Sequence, residues 1–106
     1  MAEIINIHAL ATEFAFEPED VQRMASMFFK SSARALEALN ASIATGDYDG
    51  IYRAAHSLKG SAATLRLKTL QSYACEIEIA GREKQAIDYG AACQKLLEMV
   101  ETIEVV

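Results

Sequence analysis

The sequence has little proline, glycine or basic charge, and each shortage excludes a class of protein. Among 106 residues there are one proline and five glycines, too few for the many turns of an all-β fold. The 10 lysines and arginines are outnumbered by 15 aspartates and glutamates, which gives a formal net charge of -5. This balance makes nucleic acid and anionic membranes poor partners for the protein.

Residues that bind zinc and segments that enter membranes are also scarce. The two cysteines, Cys75 and Cys93, lack CxxC spacing, and only His8 and His56 could join them as metal ligands. We therefore expect no metal site, and buried thiols in a reducing cytosol. The start of the chain does not resemble a signal peptide. Apolar runs are far shorter than the ~20 residues that cross a bilayer, so we expect a soluble, cytoplasmic protein.

What the sequence does contain is helix-forming residues, divided by short breaks. Pro18 suits a first helical turn, and an amphipathic pattern continues from there to about Thr45. Gly46 then suits a helix C-terminus, and Asp47 suits the N-cap of the next helix. Further apolar stripes follow over about 48–65, over a segment that closes near Gly81, and over about 84–104, while residues 4–13 form a weaker amphipathic segment.

These patterns predict an all-α fold. Short connections place successive helices antiparallel, so we expect an up-down four-helix bundle over about residues 18–104, with a short extra N-terminal helix as a cover. Residues 1–106 are expected to form a single domain. The initial Met1 and the complete bundle favour a stand-alone protein.

His56 is the residue with the most suggestive neighbours. At 100° per residue it projects about 140° from Ile51, the centre of the buried face of its helix, and therefore toward solvent. Gly60 lies one turn further on, in a helix interior where glycine costs about 1 kcal/mol relative to alanine, and it leaves space beside the imidazole. Lys59 places an ammonium within reach of a group on the ring, as suits a phosphate. The alternative is a surface histidine without a role.

A nucleophilic imidazole must be neutral and held in one tautomer, which a carboxylate on its far nitrogen achieves. Glu78 is the candidate, because it lies about 80° from the centre of the apolar face of the next helix and can lean toward His56. Glu76 points elsewhere. An exposed glutamate without a function is the other interpretation of Glu78.

Residues 54–63 read AAHSLKGSAA, and this segment resembles the signature of histidine phosphotransfer (HPt) domains, the phosphoryl carriers of two-component phosphorelays. The resemblance extends to the turn TGDYD at residues 45–49, to Phe28 and Phe29 in the preceding helix, and to Ile77 and Glu78, where the family usually has an apolar residue followed by an acid or amide. It covers about residues 18–104. The sequence departs from the family at Thr64, Leu65 and Arg66, which replace the common Asn-Leu-Gly, so the helix is expected to end differently there.

The resemblance implies a role for each residue of the site. His56 would be the phosphoacceptor, Lys59 would assist the phosphoryl group, Gly60 would give it room, and Glu78 would bond the imidazole. Arg66 is expected to be a surface residue away from the phosphoryl group, and His8 is not expected to accept one.

The predicted function is therefore that of a phosphoryl carrier rather than a turnover enzyme. It would take the group from an aspartyl phosphate on the receiver domain of a hybrid histidine kinase and pass it to a response regulator. No cofactor is expected, since Mg²⁺ would belong to the receiver, and we expect a monomer. Two alternatives remain: a helical module that binds receivers without phosphotransfer, and an acid-base enzyme that uses His56 and Glu78.

Overall fold

A computed structural model describes residues 2–106, and Met1, on which the stand-alone prediction partly depends, lies outside the described residues. The chain is predominantly helical. The elements are β1 (Ile4–Ile5), α1 (Ile7–Phe14), α2 (Pro18–Thr45), α3 (Tyr48–Thr64), α4 (Lys68–Arg82), α5 (Tyr89–Glu101) and β2 (Glu104–Val105). The predicted all-helical class is confirmed, with five helices among the described residues.

The turn between α2 and α3 follows from its local sequence. Gly46 ends α2 with a positive φ of 67°, a conformation that costs glycine little. Asp47 caps α3, and its side chain accepts a hydrogen bond from the backbone N–H of Gly50. The two longest helices are therefore joined by two residues, so α3 packs directly along α2.

The core lies between α2, α3, α4 and α5. Helix α3 packs against α2 and α4, helix α5 packs against the other sides of the same two helices, and α1 lies on α2. Gly81 permits the close approach of α4 to α3, because an added Cβ would lie 3.0 Å from Cγ2 of Ile51 and 3.1 Å from the backbone nitrogen of Tyr52. This contact brings the helix that carries Glu78 against the helix that carries His56.

The last helix is shorter than the predicted 84–104. Helix α5 begins only at Tyr89, where the Asp88 side chain accepts a hydrogen bond from the N–H of Ala91 and caps the helix. Lys84 has a positive φ of 55°, which is incompatible with a continuing helix. Within α5, Leu97 is 37% exposed, so it lies outside the buried face of the helix.

The two ends of the chain form a short parallel ribbon that the sequence analysis did not predict. Strand β1 pairs with β2, with Ile4 opposite Glu104 and Ile5 opposite Val105. The carboxylate of Glu3 accepts hydrogen bonds from the backbone N–H groups of Thr69 and Leu70, at 3.2 and 2.8 Å. This contact satisfies N–H groups at the start of α4 that have no partner within the helix.

Two further expectations concern the cysteines and membrane-spanning helices. Cys75 and Cys93 are free thiols, as expected, but both are only partly buried. No helix within residues 2–106 has the length and apolar character needed to cross a membrane.

Candidate functional site

His56 lies in the middle of α3, on its exposed side. Its side chain is 60% exposed. The neighbouring residues Ala55 and Leu58 are buried and fix the rotation of the helix in the core. With its apolar side packed in the core, α3 presents the imidazole to solvent on the opposite side, from a well-packed backbone.

Glu78 reaches His56 from α4. Its Oε2 lies 2.7 Å from Nδ1 of the imidazole, although the glutamate is only 4% exposed. A carboxylate accepts hydrogen bonds, so the Nδ1–H tautomer of His56 satisfies this contact and leaves the Nε2 lone pair free. The structure thus brings together the two residues that the sequence analysis paired.

Lys59 contacts the same carboxylate on its other oxygen. The Lys59 ammonium lies 2.5 Å from Oε1 of Glu78, and the lysine side chain is 29% exposed. The sequence predicts an ammonium directed to a group on the imidazole, whereas in the structure it forms an ion pair with Glu78. Because Glu78 is nearly buried, this cation compensates much of the cost of keeping its charge away from water.

The electrostatics of the cluster favour an ionised Glu78. Burial by itself raises the pKa of Glu78, but hydrogen bonding and charge attraction from Lys59 and His56 together outweigh this effect, and the pKa lies below its ordinary value of 4.5. The hydrogen bond to Glu78 likewise raises the pKa of Lys59. Both members of the ion pair are therefore charged at neutral pH.

The helical turns before and after His56 give the imidazole different surroundings. At Gly60, one turn after His56, an added Cβ would meet nothing within 4 Å, so this side is open. One turn before His56, the ring of Tyr52 lies nearly parallel to the imidazole, with 6.1 Å between centroids and 26° between planes.

Arg66 ends α3 differently from the family pattern. It has a positive φ of 61°, at the position where the common pattern has glycine. Its Nε lies 3.1 Å from a carboxylate oxygen of Glu13, and its guanidinium lies over the ring of Phe14, 5.1 Å from the centroid. Arg66 is exposed, and these contacts join the end of α3 to α1 rather than to the His56 cluster.

The surface beside α3 carries exposed apolar side chains on α2 and in the segment before it. Met27 is 68% exposed and Phe16 is 51% exposed. A groove of about 220 Å³ next to Met27 is lined by residues of α2 and α3, including Met24, Phe28 and Ser61. Such a patch on a small protein is typical of a protein-binding surface.

Other candidate groups do not join this cluster. His8 is exposed on α1, and Glu76 is exposed on α4. Within residues 2–106, no three His, Cys, Asp or Glu side chains are arranged to hold a metal ion. Tyr52 was not predicted as a residue of this site, because its only signal in the sequence is an aromatic side chain four residues before His56.

Together these features define a helical domain with one exposed histidine held by a buried acid. The family described as Hpt domain matches residues 23–105. A crystal structure of histidine-containing phosphotransfer protein B from Pseudomonas aeruginosa PAO1 is similar to this chain, with a TM-score of 0.79 and 20% sequence identity. The match covers 90% of this chain and 80% of that one, and at this identity it concerns the fold. Comparison with the curated proteins gives no significant match.

Because the family match covers most of the sequence, the chain belongs to the Hpt domain family. Hpt domains are the histidine phosphotransfer domains of two-component signalling, and they carry phosphoryl groups. The resemblance drawn from the sequence is thus confirmed.

Proposed function

We propose that the protein is a phosphorelay intermediate with His56 as its phosphoacceptor. The observation that carries this proposal is the contact between Nδ1 of an exposed His56 and the buried carboxylate of Glu78 at 2.7 Å. It supports an imidazole with Nε2 unprotonated and directed outward. A neutral nucleophile of this kind suits attack on an aspartyl phosphate.

In the proposed reaction Nε2 of His56 forms a bond to phosphorus as the bond from phosphorus to the receiver's aspartyl oxygen breaks. The aspartate leaves as a carboxylate, and no proton need move, because Nε2 carries none. The imidazole becomes positively charged, with its Nδ1–H still donated to Glu78. The negative carboxylate stabilises this charge, and reversal of the step returns the group to an aspartate of a response regulator.

Lys59 and Gly60 have supporting roles in this proposal. Lys59 is close enough to the cluster for its ammonium to move from Glu78 to an arriving phosphoryl group, which is a favourable charge-assisted contact. Gly60 leaves open space for the receiver. We propose that Mg²⁺ is held by the receiver rather than by this chain, since both oxygens of Glu78 already have partners.

The partners in this proposal are receiver domains of hybrid histidine kinases and response regulators. We place their docking surface over α2 and α3, around His56, Tyr52, Ala63 and the exposed Met27. Amide chemical-shift mapping with a receiver is expected to move signals from these residues. Unchanged signals there, with shifts elsewhere, would show that the receiver docks on another face.

We further propose that residues 1–106 act as one cytoplasmic, monomeric domain and that its four longer helices form an antiparallel up-down bundle. The short connection between α2 and α3 supports the antiparallel arrangement. The proposal includes no cofactor bound by this chain. It also includes no interaction with nucleic acid or membranes, because the net negative charge of the chain disfavours both.

Incubation with a phosphorylated receiver distinguishes this function from the alternatives. A relay intermediate becomes labelled and then transfers the label to a second receiver. An interaction module binds the receiver and acquires no label. An acid-base enzyme that uses His56 and Glu78 converts a substrate repeatedly and retains no phosphoryl group. The relay predicts a label that is lost in acid and retained in base.

A further inference from the structure

The hydrogen bond from His56 to Glu78 does not by itself fix the imidazole. A hydrogen bond tolerates a range of angles, so small changes in χ1 and χ2 of His56 can tilt the ring while the contact between Nδ1 and Oε2 is kept. In-line attack needs the Nε2 lone pair, which lies in the ring plane, to be directed at phosphorus. A second contact that sets the ring plane would therefore favour the reactive geometry.

Tyr52 supplies such a contact. It precedes His56 by one helical turn, and side chains in an α-helix lean toward the N-terminus, so the imidazole lies over the turn that carries Tyr52. The two rings are 26° from parallel, with 6.1 Å between centroids, within the range of interacting aromatic pairs. Tyr52 is partly buried, so its ring is held against the helix and has less freedom than an exposed side chain.

The opposite side of the imidazole has no equivalent neighbour. At Gly60 an added Cβ would be more than 4 Å from the surrounding atoms. One face of the site is therefore set by an aromatic ring, while the other is open. This asymmetry leaves the Gly60 side as the direction from which a phosphoryl donor arrives.

We propose that Tyr52 is a positioning residue for phosphotransfer. It acts through His56 by setting the plane of the imidazole, and it does not take part in bond formation. This inference rests on the proposed role of His56. It concerns the aromatic ring of Tyr52 and not its hydroxyl group, since the contact is between the two rings.

The test measures phosphorylation of the full chain by two donors, a phosphorylated receiver and the small donor phosphoramidate. With phosphoramidate, Nε2 of His56 bonds to phosphorus as the phosphorus–nitrogen bond of the donor breaks and ammonia leaves after taking a proton from water. Because a small donor needs no docking surface, it reports on the imidazole alone. Loss of a positioning contact should therefore slow labelling by phosphoramidate. Labelling by the receiver should slow by at least the same factor, since Tyr52 also lies on the proposed docking surface.

We expect Tyr52→Ala to slow labelling by phosphoramidate by about 3- to 10-fold and labelling by the receiver by at least as much, since a small displacement of a reacting group costs this much or more. Tyr52→Phe should keep the wild-type rate with phosphoramidate, because it retains the ring. Tyr52→Leu fills most of the same volume without a planar ring and should be as slow as Tyr52→Ala. Tyr73→Ala, which removes a partly buried tyrosine from the side of α4 that faces Lys95, is the matched control and should label normally.

Several results would overturn the positioning role. Slowing with the receiver alone would assign Tyr52 to docking, and a slow Tyr52→Phe would assign its effect to the hydroxyl group. A normal rate for both Tyr52→Ala and Tyr52→Leu would show that the ring contact is not used. In these cases labelling of the wild type, and its loss in His56→Gln, would leave the proposed function intact. If neither donor labels the wild type, both the positioning role of Tyr52 and the proposed phosphotransfer function are refuted.

Discussion

Replacing Glu78 tests whether the carboxylate that holds the imidazole also stabilises the charge formed on it. In Glu78→Ala the Nδ1–H of His56 loses an ionised acceptor at 2.7 Å. A hydrogen bond to a charged group contributes about 1.5–3 kcal/mol. Only the part of this energy that is gained as the imidazole becomes charged lowers the barrier. Since about 1.4 kcal/mol corresponds to a tenfold change in rate, phosphotransfer should slow by up to about 100-fold.

Glu78→Gln separates the charge from the orientation. The amide oxygen can still accept a hydrogen bond from Nδ1–H, so the tautomer is kept, but a neutral acceptor contributes about half as much as an ionised one. We therefore expect a slowing of about 3- to 10-fold, between the wild type and Glu78→Ala. Labelling rates with a phosphorylated receiver measure both variants.

The same substitutions should affect stability in a pH-dependent way. The pKa of Glu78 is lowered in the folded protein, so its ionisation stabilises the fold above the ordinary value of 4.5, and this contribution is lost as the pH falls through the lowered value. Urea unfolding at pH 7 should find Glu78→Gln less stable than the wild type, by about 1–3 kcal/mol. In strong acid, below both pKa values, the difference should vanish.

Two results would refute this reasoning. Wild-type labelling rates in Glu78→Ala would show that the carboxylate neither orients His56 nor stabilises its charge. A stability difference that stays constant from pH 7 into strong acid would show that Glu78 contributes by packing rather than by ionisation.

Three further predictions concern the neighbours of this pair. Gly60→Gln should be more stable than the wild type by up to about 1 kcal/mol, because an exposed helix interior favours residues other than glycine, yet transfer from a receiver should fall since the long side chain obstructs it. Thermal melting and labelling of one sample check both expectations. Full transfer activity would show that the open space is not needed. Lys59→Ala should slow transfer or shorten the lifetime of the phosphohistidine, while kinetics identical to the wild type would make Lys59 a structural partner of Glu78 only. Arg66→Gly should be more stable than Arg66→Ala by about 1 kcal/mol in urea unfolding, since only glycine adopts a φ of 61° at little cost, and equal stability would contradict this.

The elements that the sequence predicted well are those with strong terminal signals. Pro18 and Gly46 mark the limits of α2, and both act through backbone conformations that their neighbours hardly alter. The predicted start of the last helix was wrong because helix-forming residues occupy 84–87, whereas in the structure the side chain of Asp88 caps α5. The ribbon between β1 and β2 could not be predicted, because two-residue strands have no periodicity and their partners lie at opposite ends of the chain.

The site shows a similar division. The position of His56 on its helix followed from periodicity, because the buried face of α3 has many apolar residues that fix its rotation. The pairing of Lys59 with Glu78 did not follow, since a long side chain can reach several partners and the choice depends on how closely α3 and α4 approach. That approach depends in turn on Gly81, which sequence analysis assigned only to the end of the helix. The parallel rings of Tyr52 and His56 likewise depend on side-chain rotamers that periodicity does not specify.

The most direct test of the central claim is the phosphorylation of His56 itself. The wild type and His56→Gln are incubated with a phosphorylated receiver, and the label is then exposed to acid and to base. We predict that the wild type acquires a label that is lost in acid and kept in base, whereas His56→Gln acquires none and melts at nearly the same temperature, because an exposed side chain contributes little to packing. Equal labelling of the two proteins, or a label that survives acid, would contradict the assignment of His56 as the phosphoacceptor.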